Sequence, residues 1–160
     1  MSGLMNVGER SSSGERDAVV CASMTPSHRT DMLTPEHKRL VASYIAARTW
    51  IWTEDRILRK EDDSDWATGA LYDAVWEQPA LGWELIREIC RATSNPEILE
   101  ELANGPLHQL LVEHPQLLHD IERDAQADAA VSTLLSYFYE DNALPDELKE
   151  RIYRASDFSH

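Results

Sequence analysis

From Thr34 onward the apolar positions fall into short stretches of helical period, each opened by a proline or a capping residue. Thr34-Pro35-Glu36 reads as a helix start: a cap, a proline at the first helical position, and an acid in the first turn. Leu40, Val41, Tyr44, Ile45 and Arg48 follow on one face, and the helix is predicted to run through Trp50, Ile51 and Trp52. A second stripe carries Trp66, Ala67, Ala70, Leu71, Ala74 and Val75. Pro79 opens a third, with Leu81, Trp83, Leu85, Ile86, Ile89 and Cys90. Later, Ala129, Ala130, Val131, Leu134, Leu135 and Phe138 form another. Pro145 opens the last, with Leu148, Ile152 and Tyr153. No stretch alternates with the period of a strand, so the pattern predicts an all-α fold.

The segment from Asn95 to Ala125 organises the middle of the chain. Asn95 is placed to cap and Pro96 to start a helix bearing Ile98, Leu99 and Leu102. Asn104-Gly105 reads as a left-handed stop with a positive φ at the glycine. Pro106 then starts a new helix with Leu107, Leu110 and Leu111, and Pro115 a third with Leu117, Leu118 and Ile121. On this reading Gly105 is the least replaceable residue of the domain. Short connections favour antiparallel neighbours, giving stacked helix pairs. A HEAT-like array or a compact irregular bundle satisfies that pattern.

Composition narrows the function classes. The 160 residues hold 42% apolar and 28% charged side chains, enough for one cored domain rather than a disordered chain. Residues 1–31 have Ser and Gly clusters and no sustained period; they read as a flexible tail, with residues 32–160 as a single helical domain. The net charge is −14, and the tail's four acids and three bases account for only −1 of it. The acidity belongs to the domain. It opposes direct binding to nucleic acid and to anionic membranes and suits a basic protein partner. No run is apolar and long enough to span a membrane. Two cysteines, Cys21 and Cys90, make no disulfide framework, which fits a cytoplasmic location.

Candidate chemistry is sparse. His108, His114 and His119 lie near Glu113, Asp120 and Glu122, but not at the one-turn spacing a helical metal site uses. The run Glu61-Asp62-Asp63-Ser64-Asp65 lacks the glycine and closing glutamate of a calcium loop and reads as a helix cap. Glu100-Glu101 are adjacent rather than facing across a cleft, and Cys90 sits on an apolar stripe without an activating neighbour. No catalytic, cofactor or metal residues are assigned, no cofactor is expected, and the chain is not read as an enzyme. Trp66 and Trp83 fall on apolar stripes. One of Trp50, Trp52 and Trp76 is expected at the surface, where a tryptophan suits a protein interface.

Three pieces in order, Trp66-Ala67, QPALGWELI from Gln78 to Ile86, and LANGPLHQLL from Leu102 to Leu111, together with Ala125–Asp128, resemble a bacterial family of small domains of unknown function. Its hallmark is L-A-x-G-P-L-E-x-L-L; here His108 replaces the glutamate, and Phe138-Tyr139 stands where Val-Trp is usual. The similarity runs from about Thr34 to Ala155. It implies a bacterial, soluble helical domain and brings no chemistry with it. The expected function is a protein-interaction module, in its specific form an immunity protein or inhibitor that caps a basic toxin. A nucleic-acid mimic that blocks a DNA-binding protein, and an enzyme with an unrecognised site, are the alternatives.

Overall fold

The computed structural model of the chain describes residues 33–51, 65–139 and 143–157. The tail expected over residues 1–31, the acidic residues Glu61 to Ser64, and Trp52 lie outside the described residues, as do the side chains of Trp50 and Asp65. Among the described residues there are eight α-helices and no strand: α1 (Pro35–Ile51), α2 (Asp65–Glu77), α3 (Pro79–Ala92), α4 (Pro96–Leu102), α5 (His108–Glu113), α6 (Leu118–Ala127), α7 (Ala129–Leu135) and α8 (Asp146–Ser156). The all-α fold predicted from the apolar pattern is the fold adopted.

Local chemistry sets most of the boundaries. The His37 N–H donates to Thr34 Oγ1 at 3.3 Å, and the Thr34 N–H to His37 Nδ1 at 3.3 Å, a reciprocal cap on α1. Asn95 Oδ1 accepts from the Glu97 N–H and Asp128 Oδ1 from the Ala130 N–H, each at 3.0 Å, at the starts of α4 and α7. Pro35, Pro79 and Pro96 are first helical residues, and Pro115 opens a 3₁₀ turn leading into α6. Pro145 occupies the cap position of α8, one place earlier than expected.

The stripes are the core. Leu40, Tyr44, Leu71, Val75, Ile86, Ile89, Ile98, Leu102, Leu107, Leu110, Leu111, Leu118, Ile121, Leu134 and Ile152 are all buried in one cluster. Consecutive helices pack in pairs, α1 on α2, α2 on α3, α6 on α7 and α7 on α8. In a linear solenoid each unit touches only its neighbours. Here α3 packs against α1, α2, α4, α5 and α7, and α4 against α7, which closes the chain into an irregular bundle around α3. The α2–α3 pair turns on the single residue Gln78. It is closest at Gly82, where an added Cβ would lie 2.8 Å from the Val75 Cα.

The central junction differs from the reading given above. Gly105 does not stop a helix and does not adopt a left-handed φ. Ala103–Leu107 form a π-turn that carries the chain from α4 directly into α5 with Pro106 inside it. The His108 N–H reaches back to the Ala103 carbonyl, five residues away. Proline supplies no N–H, and its ring crowds the preceding turn of an ordinary helix; the wider turn relieves that. A side chain at the residue before proline would clash with the ring in helical geometry, and glycine has none. Asn104 acts as a staple. Its Nδ2 donates to the carbonyls of Glu100 (2.9 Å) and Tyr137 (2.8 Å), and its Oδ1 accepts from the Tyr139 N–H (2.9 Å).

Candidate functional site

The outward side of α2 holds the most exposed large aromatic side chain among the described residues. Leu71, Ala74 and Val75 turn into the core, so helical periodicity sends Gly69, Asp73, Trp76 and Glu77 outward. Trp76 is 55% exposed. Its ring lies 6.3 Å from that of half-buried Tyr72, one turn earlier, tilted by 56°.

Tyr72 is wedged from behind. Its hydroxyl sits 2.9 Å from where a Cβ on Gly105 would be, so the π-turn and the tyrosine interlock. Beneath them, the Arg48 guanidinium lies 3.7 Å over the Tyr44 ring. It donates from Nε to Glu101 Oε1 at 2.8 Å and from Nη1 to Thr68 Oγ1 at 3.1 Å. Burial raises the pKa of both tyrosines; in each, Glu101 pushes the same way and Arg48 opposes. Both hydroxyls therefore stay neutral at physiological pH.

Register follows from these contacts. Thr68 shares Arg48 with Glu101, and Tyr72 meets Gly105, so α2 runs parallel to the α4–α5 segment at this crossing. The C-terminal turn of α2 then lies beside α5, against which α2 packs. The exposed residues of α5 are Val112 and Glu113. The outward side of α2 itself presents an aromatic pair, Trp76 on Tyr72, with the exposed carboxylates Asp73 and Glu77 on the same helix, suited to holding a cationic group.

The other residues singled out in the sequence are dispersed. His108 packs 6.2 Å from the Phe138 ring, and burial lowers its pKa; His119 is exposed. Glu113 accepts from Gln109, Asp120 pairs with Arg123, and Glu122 pairs with Arg151. Among the described residues no three His, Cys, Asp or Glu side chains are grouped to hold a metal. Glu101 is engaged by Arg48, and the backbone carbonyl of Glu100 by Asn104. Cys90 is buried and its thiol, which donates to the Arg87 carbonyl at 3.1 Å, is pushed up to about 12 mainly by burial. Trp83 is buried, donating from Nε1 to Asp124 Oδ2 at 2.8 Å, and half-buried Trp66 lies under Arg39. Of the tryptophans considered for the surface, Trp76 is there. The sequence signalled its exposure only as one of three; the partnership with Tyr72 and Gly105 had no local sign.

A second feature is a ladder of charges across α3 and α6. Buried Arg87 meets Asp124 Oδ2 at 3.0 Å and also Glu84, while Arg91 meets Asp128 at 2.5 Å and Glu88 at 2.7 Å. The pairs to Asp124 and Asp128 tie α3 to α6 and to the start of α7. Among the described residues no helix is long and apolar enough to cross a membrane. Compared with known proteins, residues 54–159 match the model of a family described as a family of unknown function, DUF6869. No curated protein and no solved structure matches the chain.

Proposed function

We propose that this chain, which belongs to the family of unknown function DUF6869, is a helical module that binds a basic protein partner. One observation carries the reading: five arginines are engaged by carboxylates of the same chain, while a negative excess stays exposed. Arg48, Arg87, Arg91, Arg123 and Arg151 each lie against a carboxylate of the same chain. Asp73, Glu77, Glu97, Glu113, Glu147 and Glu150 are exposed. With 29 acids against 15 Lys and Arg, the outward field is strongly negative. Such a field speeds encounter with a cationic surface and repels nucleic acid. An immunity protein or inhibitor that caps a basic toxin is the specific form this reading takes.

The test is kinetic. A partner found by cross-linking in the native host is mixed with the pure chain in a stopped-flow instrument over a salt series. The association rate should fall steeply with ionic strength while dissociation changes little. An association rate indifferent to salt removes the basic partner from the account.

A further inference from the structure

We infer that the outward face of α2, with Trp76 at its centre, is the contact surface, and that it receives an arginine-bearing segment of the partner. The guanidinium stacks on the Trp76 indole and pairs with Asp73 or Glu77. This rests on the basic-partner reading above and adds to it a place and a chemistry.

Four observations support the assignment. Trp76 exposes 55% of its surface, whereas Trp83 is buried and Trp66 half-buried. The ring does not stand alone. It leans on Tyr72, whose hydroxyl sits against the π-turn at Gly105 and which is backed by buried Arg48, held in turn by exposed Glu101. A platform so held loses little freedom on binding. Asp73 and Glu77, three residues before Trp76 and one after, are exposed carboxylates on the same helix. A planar cation on the indole face can reach a carboxylate from there. Finally, the chain itself lays arginines over aromatic rings at Tyr44 and Trp66, while among the described residues no guanidinium covers Trp76.

Charge decides between occupants. A second copy would bring Asp73 and Glu77 against their equivalents, within two chains of net charge −14 each. A nucleic acid or an anionic bilayer would meet the same repulsion. An arginine-rich surface gains from both the ring and the acids, and Arg suits the stacked, bidentate geometry better than Lys.

The test uses the full chain and three synthetic amphipathic helical peptides that differ only in their polar residues: arginine, lysine or glutamate. Binding is measured calorimetrically, and the Trp76 indole N–H is followed by NMR, assigned from Trp76→Phe. The arginine peptide should bind, shift the Trp76 signal, and bind more tightly than the lysine peptide; the glutamate peptide should not bind. Trp76→Ala should weaken the arginine peptide about tenfold, and Trp76→Phe should recover most of that loss. The pair Asp73→Asn with Glu77→Gln should weaken it about threefold to tenfold. All three side chains are exposed, and urea unfolding verifies that each variant folds. If the arginine peptide binds Trp76→Ala as tightly as the parent, the α2 surface is wrong while the basic-partner reading survives. If the parent binds no cationic peptide, that reading fails and the inference with it. If the parent instead self-associates and Trp76→Ala does not, the face belongs to a second copy and the proposed occupant is overturned.

Discussion

Gly82 has no side chain because the backbone of α2 occupies the space one would need. A Cβ there would sit 2.8 Å from the Val75 Cα and 3.0 Å from its nitrogen, and backbone cannot swing aside as a side-chain tip can. Gly82→Ala should therefore prise α2 from α3 and cost about 1–3 kcal/mol or more. At Gly105 the obstacle is a single hydroxyl at the far end of Tyr72, with the pre-proline clash added, so Gly105→Ala should cost about 1 kcal/mol. Gly69 faces open space inside α2, and Gly69→Ala should stabilise by about 0.4–1 kcal/mol. Urea unfolding of the three variants side by side gives the order. A larger loss at Gly105 than at Gly82 would mean that the π-turn, not the α2–α3 crossing, is the tightest point of the fold.

Between elements, the α6–α8 seam is the one whose strength should depend on pH. Arg151 grips Glu122 with two hydrogen bonds, of 2.8 and 2.6 Å, and these bonds chiefly hold the Glu122 pKa below its ordinary 4.5. A carboxyl whose folded pKa is depressed adds stability that is fully present above the unfolded value. It is lost as pH falls through the folded one. With side chains 22% and 34% exposed, the pair is worth about 1 kcal/mol at most. Glu122→Gln should thus cost about that at pH 7 and less at a pH well below the carboxyl's ordinary 4.5, measured by urea unfolding at each pH. An equal cost at both would assign the effect to packing rather than charge.

The same scale separates what was legible in the sequence from what was not. Capping and apolar period are local, so α1, α3, α4 and the faces of α5 and α6 could be read from neighbours within a turn or two. The Asn104-Gly105-Pro106 junction could not. Glycine permits both a left-handed stop and a helical residue before proline, and the choice is made by partners far along the chain. Tyr72 fills the space beside Gly105, and Tyr137 and Tyr139 take the Asn104 side chain. The pairing of Trp83 and Arg87 with Asp124, 41 and 37 residues apart, is likewise set by tertiary approach. The aromatic platform of α2 is half legible on the same grounds: Tyr72 and Trp76 share a helix face in any reading, whereas the π-turn that locks Tyr72 does not show in the pattern.

At the scale of the whole molecule, salt should act on stability and on binding with opposite signs. The chain's net −14 repels itself in the folded state, and that repulsion acts between exposed groups, where mobile ions screen well. Two of the arginines whose pairs oppose it are better sheltered: the Arg48 and Arg87 side chains are 8% and 5% exposed. Raising sodium chloride from about 0.01 M to 0.3 M shortens the screening length from about 30 Å to well under 10 Å. It should remove more repulsion than attraction, so the melting temperature should rise by a few degrees. A fall would show that the ion pairs outweigh the net charge and that the arginines are the chief electrostatic support of the fold. With the rise, any loss of a basic partner at high salt cannot be unfolding in disguise. It must come from the screened field between the two surfaces, the quantity on which the proposed binding role rests.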